Sequence, residues 1–225
     1  METGTDIDTV NAATSYRLGD SVENLTLLGA NNFNGFGNSA NNALFGNAGD
    51  NRLVGLEGSD SLRGDLGDDR LVGGLGADSL NGGDGDDVLL GNIGNDTLRG
   101  FEGDDRLTGA AGLDLLFGGG GADTFLFTAR NQSGATNATA DRIVDFTQGE
   151  DIINVAAIDA NATNATSNDA FTFIGTAALT AAGQLHYVQT GGNTFVEMEV
   201  NGVAGADIII RLDGLITLTA ADFVL

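Results

Sequence analysis

The stretch GGLGADSLNGGDGDDVLL, residues 73–90, contains the pattern that decides the fold. It holds two copies of a nine-residue unit with glycine at the first and fourth positions, aspartate at the sixth and leucine at the eighth. The same register runs without a slip from Gly46 to Leu126, and one weaker copy precedes it, with Gly37, Ala40, Asn42 and Leu44 at the corresponding positions. A fixed period of this kind indicates a repeat architecture.

Each column of the unit predicts a structural role. Two glycines three residues apart permit a tight turn, so the first six residues are predicted to form a turn. The last three form a short strand in which only the apolar eighth residue points inward. Two units complete a coil, and successive coils stack as parallel strands about 4.8 Å apart. The sequence therefore predicts an all-β fold, a parallel β-roll of two thin sheets. The inward column is Leu53, Leu62, Leu71, Leu80, Leu89, Leu98, Leu107, Leu116 and Phe125.

The sixth column supplies the candidate metal ligands, which are Asn51, Asp60, Asp69, Asp78, Asp87, Asp96, Asp105, Asp114 and Asp123. Stacking brings each aspartate close to the one two units later, and such like charges repel by roughly 1 to 4 kcal/mol per pair. A hard divalent cation between the turns reverses the sign of that interaction. Carboxylate and carbonyl oxygens suit Ca²⁺ better than the smaller Mg²⁺. We therefore predict several bound Ca²⁺ ions, and a disordered chain without them.

The predicted pairs form two series, one on each edge of the roll. One edge has Asp60 with Asp78, Asp78 with Asp96 and Asp96 with Asp114. The other has Asp69 with Asp87, Asp87 with Asp105 and Asp105 with Asp123. Asn51 over Asp69 and Asn42 over Asp60 supply one charge fewer, so we expect weaker binding or none there.

The composition excludes several classes of function. The chain has 9 basic residues against 32 acidic ones, a formal net charge of −23, so nucleic acid and anionic membranes are excluded as partners and cations are favoured. Cysteine is absent, which excludes disulfides and thiolate chemistry. The acidic N-terminus lacks the pattern of a secretory signal, and no apolar run has membrane-spanning length.

Several segments resemble a known family. GGLGADSL (73–80) and GGDGDDVL (82–89) match the RTX nonapeptide, a calcium-binding repeat of proteins exported by type I secretion. GADTF (121–125), DRIVDF (141–146) and GEDII (149–153) are similar to the region that closes the C-terminal domain of serralysin-type metalloproteases, and alginate epimerases have similar segments. The segments DTVNA (8–12) and VENLTL (22–27) resemble the lead-in strands of such rolls. The resemblance implies that Asp145 and Asp151 add ligands at the junction, although ordinary turn carboxylates fit the sequence equally well.

These observations predict three regions: lead-in strands or an N-terminal cap at 1–36, the calcium-binding β-roll at 37–126, and a serralysin-like antiparallel β cap at 127–225. In the last region Val196, Met198 and Val200 alternate with acidic residues, which is typical of a half-exposed strand, and Ile208 to Ile210 predict a buried one. The stretches 131–140 and 156–169 are predicted loops. Such a cap would cover the open edge of the roll.

The chain ends in Asp222-Phe223-Val224-Leu225. This looks like the terminal signal of proteins exported by type I ABC transporters, so the resemblance implies an extracellular, secreted protein with that apparatus as its partner. A plain final strand is the alternative interpretation. Both hold together if export reads the unfolded form.

No catalytic motif occurs in the sequence. A serralysin requires a His-Glu-x-x-His helix, whereas His186 is the single histidine here and lies in a strand-like LHYV segment (185–188). There is no Gly-x-Ser-x-Gly elbow, and without lysine no phosphate-binding P-loop. We therefore predict a non-enzymatic module that folds on calcium binding after secretion. The alternatives are the C-terminal fragment of a secreted metalloprotease or alginate epimerase, and a standalone surface or adhesive protein.

Overall fold

The computed structural model describes residues 7–130, 132–161, 169–203 and 205–225. Its regular elements are β-strands and one three-residue 3-10 helix, with no α-helix in the described ranges. Residues 1–6 of the predicted lead-in, residue 131 of the first predicted loop and residues 162–168 of the second lie outside the described residues. The predicted all-β class is confirmed.

The strands follow one another in short, regular steps along the chain. They are β1 Thr9–Ala12, β2 Tyr16–Arg17, β3 Asn24–Leu27, β4 Asn34–Phe36, β5 Ala43–Phe45, β6 Arg52–Glu57, β7 Ser61–Leu66, β8 Arg70–Leu75, β9 Ser79–Asp84, β10 Val88–Ile93, β11 Thr97–Glu102, β12 Arg106–Ala111, β13 Leu115–Gly120, β14 Thr124–Leu126, β15 Asp141–Ile143, β16 Ile152–Asn154, β17 Thr172–Phe173, β18 Gln184–Thr190, β19 Asn193–Glu199, β20 Ile208–Asp213 and β21 Phe223–Val224. The 3-10 helix, Ala220–Asp222, directly precedes β21.

The strands alternate between two parallel sheets. Odd-numbered strands β1 to β15 form one sheet and even-numbered strands β2 to β16 the other, so each strand pairs with the strand two later in the chain. The first sheet continues through β20, β19, β18 and β17, and the second ends with β21. Because β18, β19 and β20 pair antiparallel, the structure confirms the predicted β-roll with antiparallel strands at its C-terminal end.

The repeat strands are longer than the three residues predicted for them. β8 covers Arg70–Leu75, which is the end of one unit and the first three positions of the next. The predicted six-residue turn is therefore wrong: only positions four to six bend. The first-position glycine Gly73 has no positive φ and stays in the strand, whereas the next glycine, Gly74, has φ 129° and the fourth-position glycine Gly76 has φ 125°.

The apolar column forms the core between the two sheets. Its leucines from Leu53 to Leu107 are fully buried, as predicted. The ladder also extends beyond the repeats, because Leu25 pairs with Leu44 at the N-terminal end and Phe125 pairs with Ile153 at the other. Strand pairing therefore continues across residues 36/37 and 126/127, and the domain boundaries set there stay predictions.

Candidate metal centre

The sixth-position aspartates form two rows, one on each edge of the roll. The Asp60 row consists of Asp60, Asp78, Asp96 and Asp114, and the Asp69 row of Asp69, Asp87, Asp105 and Asp123. Within a row, the backbone N–H of each aspartate donates to the Oδ1 atom of the one 18 residues later: Asp60 N to Asp78 Oδ1 is 2.8 Å and Asp69 N to Asp87 Oδ1 is 2.7 Å. The same contact, at 2.8 to 2.9 Å, joins the remaining members. Every predicted pair is therefore stacked in the structure.

The first-position glycines make room for these carboxylates. A Cβ atom added to Gly55 would lie 2.1 Å from Asp60 Oδ2 and 2.8 Å from the carbonyl oxygen of Gly73 in the next coil. At Gly82 the corresponding distances are 2.0 Å to Asp87 Oδ2 and 2.9 Å to the Gly100 oxygen. Carboxylate and carbonyl oxygens from successive coils thus converge beside each of these glycines.

The second oxygen of the aspartates has no hydrogen-bond partner. Nine buried Oδ2 atoms share this property within the described residues, and they belong to Asp60, Asp69, Asp78, Asp87, Asp96, Asp105, Asp114, Asp123 and Asp141. Each of these residues is at most 3% exposed. Buried carboxylates normally bond to donors or coordinate a metal, because desolvation without compensation costs several kcal/mol. The nine orphaned oxygens therefore require a proton or a cation.

The donor set fits calcium. All donors at these positions are oxygens, which a hard cation such as Ca²⁺ prefers, and carbonyls complement the carboxylates in its flexible shell of six to eight ligands. No group of three or more acidic or histidine side chains converges to hold a metal in the described ranges. Backbone oxygens would therefore have to complete the coordination at each position.

Burial dominates the electrostatics of the two rows. Desolvation raises the pKa of Asp87 to about 7 and that of Asp105 to about 8, while the backbone N–H bonds they accept act in the opposite direction. At Asp60, whose pKa is raised to about 6, repulsion by the row neighbour Asp78 is the smallest of the three causes and burial is the largest. The sequence predicted the repulsion between stacked aspartates, but the loss of hydrating water on burial opposes their ionisation more strongly.

This electrostatic pattern predicts that acid partly replaces calcium. A carboxyl whose pKa rises from 3.8 to between about 6 and 8 on folding binds more protons in the folded chain than in the unfolded one. Its protonation therefore stabilises the folded state fully below about pH 4, and this stabilisation is lost as the pH rises through 6 to 8. We expect the calcium-free chain to have more β structure at about pH 5, above its isoelectric point of about 4.1, than at about pH 8. Far-UV circular dichroism in EDTA measures this. A pH-independent spectrum over that range would contradict the prediction.

The asparagines at the N-terminal end of the rows have engaged side chains. Asn51 N–H donates to Asp69 Oδ1 at 2.7 Å, as the aspartates do. Its own Oδ1, however, accepts the Asn47 N–H at 2.8 Å. Asn42 Oδ1 likewise accepts the Asn38 N–H at 2.8 Å. Weaker binding at these two positions stays a prediction, and the occupied amide oxygens are consistent with it.

The junction residues differ from one another. Asp151 accepts the Asp123 N–H at 3.0 Å with Oδ1 and the Thr147 N–H at 2.7 Å with Oδ2, so both of its oxygens have donors. Asp145 is exposed, and its Oδ1 accepts the Gly118 N–H at 3.0 Å. Burial raises the pKa of the Asp151 carboxyl. The role of both junction residues as ligands stays a prediction.

Asp141 is the row member that sequence reasoning missed. Its Oδ1 accepts the Asp114 N–H at 2.9 Å, its Oδ2 is one of the nine orphaned oxygens, and burial raises its pKa to about 8. It follows Asp114 by 27 residues instead of 18, because the segment after β14 interrupts the register. The signal that could have found it is the triplet Asp141-Arg142-Ile143, which repeats the acid-x-apolar order of positions six to eight.

The two remaining candidate positions have structural partners. His186 is a buried residue of β18 with Nε2 2.9 Å from Glu197 Oε2 and Nδ1 2.7 Å from the Ala177 oxygen, as expected for a strand residue. Asp222 is buried and accepts the Thr219 N–H at 2.6 Å, and Phe223 pairs with Ile153. The terminal residues thus form the last strand of a sheet, and their role as an export signal stays a prediction. No helix of the described residues is long and apolar enough to span a membrane.

Comparison with known proteins gives a family and several similar structures. The family model described as the peptidase M10 serralysin C terminal matches residues 32–225. The AlgE6R3 subunit of the Azotobacter vinelandii mannuronan C5-epimerase is 29% identical over 68% of this chain and 80% of that chain, with a TM-score of 0.49. The extracellular lipase LipA of Serratia marcescens is 18% identical over 96% of this chain and 42% of that chain, with a TM-score of 0.37. A search of curated proteins gave no match.

Proposed function

Because the chain belongs to the peptidase M10 serralysin C-terminal family, we propose that it is a non-catalytic β-roll module that binds several Ca²⁺ ions and folds when it does so outside the cell. The family match covers the repeats and the antiparallel strands together. The absence of a catalytic motif in the sequence agrees with this proposal.

The observation that carries the proposal is the set of nine buried, unpartnered aspartate oxygens. Each Oδ1 is fixed by a backbone N–H of the preceding coil, so the carboxylate cannot rotate without breaking that bond. The Oδ2 atoms of the repeat aspartates, such as Asp60 and Asp87, are therefore held beside the first-position glycines, and at Gly55 and Gly82 a carbonyl oxygen of the next coil lies there too. Ca²⁺ bound there would supply the positive charge that replaces the lost hydration.

Coupling to folding follows from the same geometry. The rows exist only when coils are stacked, so a cation that binds them stabilises the folded chain and not the unfolded one. Extracellular calcium modules typically have dissociation constants of about 10⁻⁴ to 10⁻³ M, which keeps such a site empty at cytosolic calcium levels. This favours an unfolded chain inside the cell and a folded one outside.

Export by a type I ABC transporter fits this scheme. In the folded chain Asp222 and Phe223 are buried and β21 is paired with β16, so the whole terminal segment is accessible as a signal only before folding. Low cytosolic calcium would leave it accessible. The family name also supports a second hypothesis, that the module follows a catalytic domain in a longer secreted enzyme.

Equilibrium dialysis of the full chain tests calcium binding directly. We expect several Ca²⁺ ions per chain, little competition from Mg²⁺, and fewer bound ions in the double variant Asp87→Asn with Asp96→Asn. Asp20→Asn removes an exposed carboxylate outside the rows and serves as the control. A chain that binds no calcium at millimolar concentration would exclude the proposed function.

A further inference from the structure

A second column of aspartates runs along only one edge of the roll. It consists of Asp50, Asp68, Asp86 and Asp104, which occupy the fifth position of alternate units and are called the outer ladder here. All four are exposed. The Asp86 N–H donates to Asp68 Oδ1 at 3.0 Å and the Asp104 N–H to Asp86 Oδ1 at 2.9 Å, so the ladder is stacked like the rows inside it.

The other edge has no such charges. Its fifth positions are Ser59, Ala77, Asn95 and Leu113. The backbone contacts are similar, since the Leu113 N–H donates to Asn95 Oδ1 at 2.9 Å. Each member of the Asp69 row up to Asp105 therefore follows an acidic residue, and each member of the Asp60 row follows an uncharged one.

The outer ladder acts on the buried row beside it. Among the charges that raise the pKa of Asp87 are Asp68 and Asp86, and Asp50 is among those that raise the pKa of Asp69. For Asp60 and Asp96 the charges that raise the pKa are those of their own row alone. The orphaned Oδ2 atoms of Asp69, Asp87 and Asp105 independently mark that row as one that needs a cation.

Resting on the proposed calcium binding, we propose that the outer ladder makes the Asp69 row the higher-affinity calcium row. An exposed carboxylate near a divalent ion in water raises the affinity for that ion on the order of tenfold before screening by salt. The residue at position five, which makes no hydrogen bond to a buried Oδ2 atom, thus sets the calcium concentration at which each edge is filled.

Neutralisation of the ladder isolates this effect. The double variant Asp68→Asn with Asp86→Asn keeps an amide oxygen that can accept the ladder hydrogen bonds and removes two charges. The matched control, Asp8→Asn with Asp20→Asn, removes two charges from exposed residues outside the repeats. We expect the calcium midpoint of folding, followed by circular dichroism at low ionic strength, to rise severalfold in the ladder variant and less than about twofold in the control.

A double-mutant cycle assigns the effect to a row. The ladder variant is combined with Asp87→Asn, in the Asp69 row, or with Asp96→Asn, in the Asp60 row. We expect the ladder changes to have much less effect in the Asp87→Asn background and their full effect in the Asp96→Asn background. Equal effects in both backgrounds, or equal midpoints for ladder and control variants, would overturn the inference while leaving calcium binding intact.

The opposite edge allows the reverse experiment. Ala77 and Asn95 are exposed, so Ala77→Asp with Asn95→Asp places two charges beside the Asp60 row. We expect the calcium midpoint to fall severalfold. An unchanged or higher midpoint would contradict the proposed role of position five. If the wild-type chain binds no calcium in dialysis, the proposed function itself fails.

Discussion

Removal of calcium with excess EDTA at about pH 8 is expected to abolish most of the β-sheet signal of this chain, and millimolar calcium to restore it. The physical reason is the set of nine buried carboxylate oxygens without a donor. Without a bound cation, each of these oxygens loses its hydrating water when the chain folds, whereas in the unfolded chain it stays hydrated. A pKa raised from 3.8 to about 7, as at Asp87, corresponds to about 4 kcal/mol against the charged form. Summed over the nine carboxylates, even half of that cost exceeds the stability of about 5 to 15 kcal/mol that a typical domain has.

Far-UV circular dichroism with a calcium titration measures the transition. Magnesium at the same concentration is the control for ionic strength and divalent charge, and we expect it to restore much less signal because it gives up its water reluctantly. If the β content in EDTA equals that in calcium, the coupling of folding to metal binding is wrong even if ions bind.

The regular part of the structure was predictable because each position of the nine-residue repeat occupies the same place in every coil. A nine-residue period places Leu80 and Leu98 two units apart, and the structure pairs them directly across neighbouring strands. The same arithmetic stacks Asp78 over Asp96, with the Asp78 N–H 2.8 Å from Asp96 Oδ1. A residue in such a roll has its neighbours fixed by its position in the unit, so its burial and its partner follow from counting.

The parts that sequence reasoning missed depend on contacts between coils. The first-position glycines were assigned to turns because glycine permits positive φ, yet Gly82 has no positive φ and is required by the nearness of Asp87. Asp141 was missed because the segment after β14 breaks the count. The acidic residues of the outer ladder are plain in the sequence. That they all lie along one edge of the roll becomes apparent only when the structure shows that alternate units share an edge.

Backbone strain at the second position was also hidden in the sequence. Five non-glycine residues have positive φ there, with values from 75° to 92°: Leu56, Asp65, Asn92, Phe101 and Ala110. Glycine fills the same position in other units, as at Gly74 with φ 129°. Left-handed conformations of this kind cost of order 1 kcal/mol or more for residues with a side chain. The roll therefore carries a local cost that a bound cation can help to offset.

Gly82→Ala is expected to leave the chain almost entirely unfolded at the calcium concentration that half-folds the wild-type chain. Its Cβ would lie 2.0 Å from Asp87 Oδ2 and 2.9 Å from the Gly100 oxygen. Asp87 cannot swing away freely, because its Oδ1 accepts the Asp69 N–H at 2.7 Å. Overpacking a tight site costs about 1 to 3 kcal/mol even where side chains can yield, and here one obstacle is backbone. A cost of about 3 kcal/mol lowers the folding equilibrium constant at a given calcium concentration roughly a hundredfold, so the calcium midpoint rises.

Gly19→Ala provides the matched control, since Gly19 has no atom within 4 Å of the added Cβ and no positive φ. Its calcium midpoint should stay within about twofold of wild type. The double variant Gly82→Ala with Asp87→Ala separates the causes, because removal of the carboxylate relieves one clash. The loss of folding free energy in the double variant should be smaller than the sum of the losses in the two single variants. Such non-additivity identifies the carboxylate as the group that the glycine accommodates. If Gly82→Ala has the same calcium midpoint as Gly19→Ala, the close approach of Asp87 and the Gly100 oxygen does not explain why glycine fills the first position of every unit. The converging oxygens would then not determine the stability of the coil.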